Sequence, residues 1–334
     1  MLFYIIILYM YAYLEGGQIG YIATTIDPRE LLPVRKAESH KGTYGRALLI
    51  TGSPGMAGAA YLAGMAAYRS GCGLVELFTH ESNRIILQQL LPEAVMTVYG
   101  DEDKKLADKL EKSIRRADSV GLGCGLGLSD QAADIVRNSC EFAVRMHKPL
   151  LADADAITLI GREESLISSL RRQSVVFTPH PKEMTSLTHM HTDEILSDRE
   201  TIVTSFCSVS GTVCLLKGHR TLVGSPSGAL YENHTGNSGM AAGGSGDVLS
   251  GLITGLMAQG VDLYDAACLG AWIHGHAGDL AAEDTGEHAM MARDLLESLT
   301  EAMWELEQDE DELEDDEFAD DEFGYDETED EDDE

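Results

Sequence analysis

Short apolar, β-branched segments alternate with longer helical segments through the middle of the chain, and this alternation constrains the fold more than any other feature. The predicted strands are 46–51, 74–79, 119–123, 149–153, 175–178, 212–217 and 221–224. Helices are predicted between them, with a continuous helical pattern over 246–306. Parallel strands need helical crossovers, so the alternation predicts an α/β fold with a largely parallel central sheet and helices on both faces. Ligands of such sheets bind beyond the carboxyl ends of the strands.

The charge of the chain is concentrated at one end. The 334 residues contain 57 acidic and 24 basic side chains, for a net charge of −33, and 21 of the acidic ones lie in residues 305–334. The first 304 residues therefore carry −12. Neither part offers the basic surface that displaces counterions from phosphate backbones, so we expect no nucleic-acid partner.

The two ends of the chain differ in composition from its middle. Residues 1–14 are almost wholly apolar but shorter than the roughly 20 residues of a membrane span, and no basic residue precedes Arg29. We therefore expect an apolar N-terminal extension over 1–29, one domain over 30–305, and an acidic, disordered tail over 306–334. A membrane-proximal anchor is a weaker alternative for the N-terminus. Because the apolar run is short, we expect no membrane partner. The six cysteines form no CxxC pair, which favours reduced, buried thiols in a cytoplasmic protein.

The strongest local signal is the glycine-rich segment 237–251, which opens the C-terminal helical region. The backbone N–H groups of Gly243, Gly244, Ser245 and Gly246 are predicted to form an anion hole at the helix N-terminus. Asp247 follows in the first turn. A carboxylate there either caps the helix or acts as a base beside a bound phosphate, and the preceding Gly-Gly-Ser-Gly favours the base.

Four other segments follow predicted strands. Glycine turns lie at 52–58 and 121–127, but the second has the wrong spacing for a dinucleotide-binding fingerprint. Two prolines rigidify the loop around His180, and Lys217 at a strand end suits the phosphates of a nucleotide. Each segment is also compatible with an ordinary strand–helix junction or hairpin. The pairs His189/His191 and His274/His276 lack a third ligand, so no protein metal site is predicted there.

Together these segments resemble the NAD(P)H-hydrate dehydratases of the ribokinase-like superfamily. The matching segments occur in the family's order, at 37–45, 52–59, 153–156, 178–183, 216–218 and 235–251. The resemblance implies a ribokinase-like fold over residues 30–305. The sequence departs from the family pattern at Lys182, His234 and 157–158, none of which removes a proposed catalytic group.

The resemblance also implies a reaction and its residues. The implied reaction is the ADP-dependent dehydration of the S epimer of NADHX or NADPHX to NAD(P)H, with release of AMP and phosphate. Asp247 would be the catalytic base. The residues implied to contact the hydrated dinucleotide are Ala59, Gly125, His180 and Asp247. The residues implied to hold the adenine nucleotide are Lys217, Gly218, His219, Arg220, Thr221 and Gly246.

Cofactors and partners follow from the same resemblance. Mg²⁺ is expected to bridge the phosphates with few protein ligands, and ADP rather than ATP is the expected phosphoryl donor. The implied assembly is a homotetramer, and the implied functional partner is an NAD(P)H-hydrate epimerase on a separate chain.

Two other functions use the same residues. A kinase of the same superfamily would share the Gly-Gly-Ser-Gly-Asp turn, although segments 37–45 and 235–251 argue against it. A catalytically silent nucleotide sensor, with the acidic tail as its interaction arm, would have no need of the intact Asp247.

Overall fold

One mixed sheet forms the centre of the molecule. The structure, a computed structural model, describes residues 21–308, so residues 1–20 of the predicted extension and 309–334 of the predicted tail lie outside the described residues. The strands are β1 (Ile22–Thr24), β2 (Arg46–Ile50), β3 (Leu74–His80), β4 (Val95–Tyr99), β5 (Ser119–Leu122), β6 (Leu150–Ala152), β7 (Val175–Phe177), β8 (Val213–Leu216), β9 (Leu222–Gly224) and β10 (Ala229–Glu232). Their order is β1-β10-β9-β8-β7-β6-β5-β2-β3-β4. Within this described sheet only β9 runs antiparallel to its neighbours, so the largely parallel sheet is confirmed.

Helices cover both faces of the sheet. They are α1 (Pro28–Leu31), α2 (Ala57–Arg69), α3 (Arg84–Leu90), α4 (Leu106–Arg116), α5 (Asp130–Arg145), α6 (Ala154–Gly161), α7 (Glu164–Ser169), α8 (Pro181–Thr188), α9 (Thr192–Ser197), α10 (Arg199–Ser210), α11 (Ser245–Ala258), α12 (Leu263–Thr285) and α13 (Ala292–Glu307). Strand β6 shows the arrangement: Leu150 and Ala152 pack into one hydrophobic cluster, while Leu151 packs into the cluster on the opposite face. Because side chains alternate along a strand, a strand covered on both sides is apolar throughout.

All seven predicted strands are present, with ends within two residues of the prediction. Strands β1, β4 and β10 were not predicted. β1 and β4 form the two edges of the sheet, where most side chains are partly or fully exposed. The predicted helical region divides into α11, α12 and α13. All six cysteines are buried with free thiols, as expected. Over residues 21–308, no helix is long and apolar enough to cross a membrane.

Helix α11, which begins at the glycine-rich turn, packs closely against α2 through its glycines. A Cβ placed on Gly251 would lie 2.0 Å from the carbonyl oxygen of Ala63, and one on Gly255 would lie 2.7 Å from the carbonyl oxygen of Ala67. Backbone atoms cannot yield as a flexible side chain can. The two glycines therefore set the distance between α11 and α2, and with it the position of the first turn of α11.

We expect Gly251→Ala to lower the free energy of unfolding by about 3 kcal/mol, because the added methyl group forces α11 away from α2. Gly58→Ala on α2 is the matched control, since a Cβ there meets no atom within 4 Å. It should leave stability unchanged or raise it by up to about 1 kcal/mol. Denaturant unfolding of both variants measures the difference, and equal stabilities would show that the α11–α2 contact can relax.

Candidate active site

The residues predicted to carry function gather at the carboxyl ends of β5 to β8, as expected for an open parallel sheet. Asp153 directly follows β6, His180 lies three residues after β7, and Lys217 directly follows β8. The N-terminus of α11 faces the same edge, because a Cβ on Gly246 would lie 3.6 Å from Lys217 Nζ and 3.9 Å from Asp153 Oδ2.

The first turn of α11 is shaped as an anion cradle. Gly244 has a φ of +99°, and a Cβ there would lie 2.5 Å from Leu62 Cδ1, so only glycine fits. Gly243 has open space around it. The hydroxyl of Ser245 is buried and has no hydrogen-bond partner among the described residues. Ser245 N already donates to the carbonyl oxygen of Ala242 at 3.3 Å, whereas no backbone acceptor is present for the N–H groups of Gly243, Gly244 and Gly246 among the described residues. These N–H groups and the unpaired hydroxyl are suited to an incoming phosphate oxygen.

His274 supports this turn from α12. Its Nε2 lies 2.9 Å from the carbonyl oxygen of Ser245 and donates to it. Burial lowers the pKa of His274 to about 4, despite the opposing effect of this hydrogen bond. The ring is therefore neutral near pH 7 and fixes the backbone at Ser245 without adding charge.

Asp247 is half-buried in the same turn, and burial raises its pKa to about 6. The negative charge of Asp153 raises it further, whereas a hydrogen bond from the Cys124 thiol and the charge of Lys217 act in the opposite direction. A carboxylate with this pKa is ionised near neutrality yet basic enough to accept a proton. No side-chain capping bond is made at the start of α11.

A buried ion pair lies beside Asp247. Lys217 Nζ donates to Asp153 Oδ1 at 2.6 Å and lies 3.6 Å from Glu183 Oε2. Ser250 Oγ donates to Asp153 Oδ2 at 2.6 Å. Burial favours the neutral form of Asp153, but the ammonium group and the hydrogen bonds outweigh it and hold its pKa below the ordinary value. No role was predicted for Asp153 or Ser250, although both lie in segments that carry the family resemblance, 153–156 and 235–251, and Asp153 directly follows a predicted strand.

A cavity of about 800 Å³ opens in front of Lys217 and the first turn of α11. Its lining includes all six residues that the resemblance assigns to the adenine nucleotide: Lys217, Gly218, His219, Arg220, Thr221 and Gly246. The Arg199 guanidinium donates to the carbonyl oxygens of His219 at 2.8 Å and Arg220 at 3.0 Å, and so fixes this loop. Arg199 is a further residue that sequence reasoning missed.

The residues assigned to the dinucleotide do not all lie together. Ala59 and Gly125 are in contact, because a Cβ on Gly125 would lie 2.8 Å from the Ala59 Cβ. Gly125 has a φ of +58°, and its carbonyl oxygen accepts from Ser53 N at 2.7 Å. Ala59, Gly125 and Asp247 lie outside the lining of the 800 Å³ cavity, whereas His180 is part of it. The ring of His180 is exposed and caps α8 by accepting from Glu183 N at 3.1 Å.

The paired histidines serve the local structure. His191 is the residue before α9, where its backbone N–H donates to Glu194 Oε2 at 2.7 Å, and His276 pairs with Glu305. Within residues 21–308, no three His, Cys, Asp or Glu side chains are grouped closely enough to hold a metal ion.

Comparisons with known proteins agree with this geometry. A family model described as NAD(P)H-hydrate dehydratase matches residues 47–301. The ADP-dependent (S)-NAD(P)H-hydrate dehydratase of Neisseria meningitidis is 36% identical over 278 residues, which cover 80% of this chain and 90% of that protein. The chain spans about half the length of several bifunctional NAD(P)H-hydrate repair enzymes that it also matches.

Two solved structures are similar. One is the Bacillus subtilis ADP/ATP-dependent NAD(P)H-hydrate dehydratase co-crystallised with ATP and Mg²⁺, with a TM-score of 0.70 and 30% identity over 84% of this chain and 96% of that one. The other is a ribokinase-like superfamily protein of Enterococcus faecalis, with a TM-score of 0.74 and 27% identity over 87% of this chain and all of that one. The predicted ribokinase-like class is confirmed, and the chain belongs to the NAD(P)H-hydrate dehydratase family.

Proposed function

We propose that the protein dehydrates the S epimer of NADHX and NADPHX to NAD(P)H, using ADP and releasing AMP and phosphate. The observation that carries this proposal is Asp247, a half-buried carboxylate with a raised pKa in the first turn of α11. Its place directly after the Gly-Gly-Ser-Gly turn, within the family match, supports its assignment as the base.

The 800 Å³ cavity is the proposed site of the adenine nucleotide. Its lining includes Lys217 and the loop that ends at Thr221, together with Ser245 and Gly246 at the start of α11. The terminal phosphate would then lie against the helix N-terminus, which favours negative charge. Ala59, Gly125 and His180 are the proposed contacts of the hydrated dinucleotide.

Hydroxide is a poor leaving group, so the hydroxyl of the hydrated ring has to be activated. Asp247 accepts the hydroxyl proton as the oxygen attacks the terminal phosphorus of ADP; a new P–O bond forms, and the bond to the AMP oxygen breaks. The ring nitrogen's lone pair then expels phosphate from the adjacent carbon. Loss of a proton from the next ring carbon restores the double bond of NAD(P)H.

The anion cradle stabilises the charge that develops on the transferred phosphoryl group. The backbone N–H groups of 243–246, the Ser245 hydroxyl and the Lys217 ammonium are the proposed donors. Mg²⁺ would neutralise part of the phosphate charge when bound. Since the described residues offer no dedicated ligand cluster, it would be held by phosphate oxygens and water. The co-crystallisation of the Bacillus subtilis relative with ATP and Mg²⁺ supports this proposal.

Several finer assignments remain predictions of this proposal. They are ADP as the preferred donor, a homotetramer, and the division into segments 1–29, 30–305 and 306–334. The bifunctional relatives support a functional link to an epimerase activity, fused or separate.

The test is a dehydration assay on hydrated NADH and NADPH, run in parallel with ADP and ATP. We expect recovery of the reduced-nicotinamide absorbance together with stoichiometric release of AMP when ADP is supplied. Consumption of ADP without recovery of this absorbance would favour a kinase and reject the dehydratase. Nucleotide binding without turnover of either donor would favour the silent sensor.

A further inference from the structure

Asp153 is a second carboxylate of the site, and the proposed reaction gives it no role. It is 2% exposed and occupies the residue before α6, where an aspartate ordinarily accepts a hydrogen bond from the helix backbone. Its side chain makes no such capping bond. Instead, Oδ1 accepts from Lys217 Nζ and Oδ2 accepts from Ser250 Oγ, both at 2.6 Å. The carboxylate therefore faces the site and leaves the helix end without a side-chain cap.

The backbone next to Asp153 is strained. Ala154 has a φ of +47°, which an alanine rarely adopts. A Cβ on Gly123 would lie 2.0 Å from the carbonyl oxygen of Asp153, so β5 and β6 pack against each other directly here. Such strain costs about 1–3 kcal/mol and persists only where the surrounding structure imposes it.

Lys217 is the group that Asp153 controls. Its side chain is 20% exposed, lines the 800 Å³ cavity and passes close to Gly246, the residue before Asp247. The ammonium group forms ion pairs with Asp153 at 2.6 Å and Glu183 at 3.6 Å, and its charge also acts on the carboxylate of Asp247. In the structure the ammonium group donates its short hydrogen bond to Asp153.

We propose that Asp153 is a positioning residue that acts through Lys217: it holds the ammonium group against the first turn of α11, where the terminal phosphate of ADP would lie, and keeps it from pairing with Asp247. This inference rests on the proposed function for the role of Asp247, but not for the position of Lys217. Ser250, one turn along α11, locks the second oxygen of Asp153 and so ties the pair to the helix that carries the base.

The consequence for Asp247 has a definite direction. The groups that act on its carboxylate are Cys124 after β5, Asp153 and Asp155 around the start of α6, and Lys217 after β8. Removing the negative charge of Asp153 withdraws one influence that raises the pKa of Asp247. It also frees the Lys217 ammonium to approach Asp247, and this positive charge lowers the pKa of Asp247 further. Both effects make Asp247 a weaker base.

The first test is a double-mutant cycle on ADP affinity, measured by calorimetry with Asp153→Asn, Lys217→Gln and the double variant. We expect Asp153→Asn to weaken ADP binding about tenfold, a loss of about 1.4 kcal/mol. The double variant should bind no more weakly than Lys217→Gln alone, because Asp153 acts only through that lysine. Independent, additive losses would overturn the proposal.

The second test is the pH dependence of kcat/KM. In the wild type kcat/KM should fall at low pH as Asp247 becomes protonated, and we call this fall the acid limb. In Asp153→Asn the acid limb should move to lower pH, and the maximum value of kcat/KM should be lower. Glu76→Gln is the matched control: Glu76 is also a buried carboxylate with two basic partners, Arg116 at 2.9 Å and Arg46 at 3.3 Å, but it lies on β3 away from the cavity. It should leave the acid limb in place. An unmoved acid limb in Asp153→Asn would contradict the proposal.

The two tests separate this inference from the proposed function. If the wild-type protein fails to dehydrate hydrated NADH, the proposed function fails, and the ADP cycle still decides the role of Asp153. If Asp153→Asn gives no cooperative thermal transition, Ser250→Ala takes its place in the cycle. It should weaken ADP binding by a smaller factor that vanishes in the Lys217→Gln background, and an additive loss would again reject the proposal.

Discussion

Asp247→Asn is expected to lower kcat by about 10²–10⁴-fold while the affinity for AMP changes little, because the amide occupies the same space and accepts no proton. The assay is the dehydration of hydrated NADH with saturating ADP. AMP binding by calorimetry shows whether the cavity is intact. Asp265→Asn is the control, since Asp265 also lies in the first turn of a helix, α12, and burial raises its pKa too. Near-normal turnover by Asp247→Asn would remove Asp247 from the role of base.

The wild-type pH profile gives the same assignment a second test. Burial raises the pKa of Asp247 to about 6, and a base works only in its ionised form. The rate should therefore fall as the pH decreases through about 6, and this limb should disappear in the residual activity of Asp247→Asn. Because the pKa of Asp247 is raised, the acid limb lies at a higher pH than the ordinary aspartate pKa of about 3.9 would give.

The ionised Asp247 also lowers the stability of the protein. Because its folded-state pKa is raised, the native state binds more protons than the unfolded state between about pH 4 and 6, and stability decreases as the pH rises through that window. Asp247→Asn should thus be more stable than the wild type by about 1–3 kcal/mol at neutral pH. A variant that loses activity and gains stability would identify a group held in an unfavourable environment for its chemistry.

The features that were predictable from the sequence are those that depend on neighbouring residues. A buried strand, a glycine turn and the first turn of a helix each have a short pattern, and these patterns indicated the positions of Lys217, Asp247 and the 243–246 cradle. The parallel sheet then brought them to one edge, because successive strands of a parallel sheet end on the same side.

The unpredicted features depend on residues far apart in the chain. The Asp153–Lys217 pair joins residues 64 positions apart, and Arg199 contacts a loop about 20 residues away. No local pattern shows that an aspartate before a helix leaves the helix uncapped to hold a lysine. For the same reason the sequence could not show that Ala59 and Gly125 lie outside the main cavity, since their positions depend on how α2 packs beside the turn that follows β5.

Among the variants proposed here, Lys217→Met is expected to lose the most stability, because it leaves the Asp153 carboxylate buried without its cation. Removing one partner of a buried ion pair costs about 3–5 kcal/mol. We also expect the Kd for ADP to rise about 10–100-fold, as the charged donor in front of the α11 turn is lost. Lys109→Met is the matched control. Lys109 contacts Asp103 at the same distance, 2.6 Å, but in a more exposed pair, where the loss should be about 1 kcal/mol or less.

The pH dependence of this loss distinguishes an unpaired charge from a packing defect. In the wild type the pKa of Asp153 lies below its ordinary value, so the stabilisation by the pair is fully present above about pH 4 and is lost as the pH falls through the folded-state pKa. In Lys217→Met the burial of Asp153 is opposed only by neutral hydrogen bonds such as that from Ser250, so its pKa rises relative to the wild type. The carboxyl group can then be protonated at pH 4, but it is ionised and without its cation as the pH rises. The stability difference from the wild type should therefore be small near pH 4 and grow toward pH 7.5. Asp153→Asn in the Lys217→Met background removes the remaining charge and should recover much of the loss at pH 7.5; a loss that is equal at both pH values and is not recovered would indicate packing instead of charge.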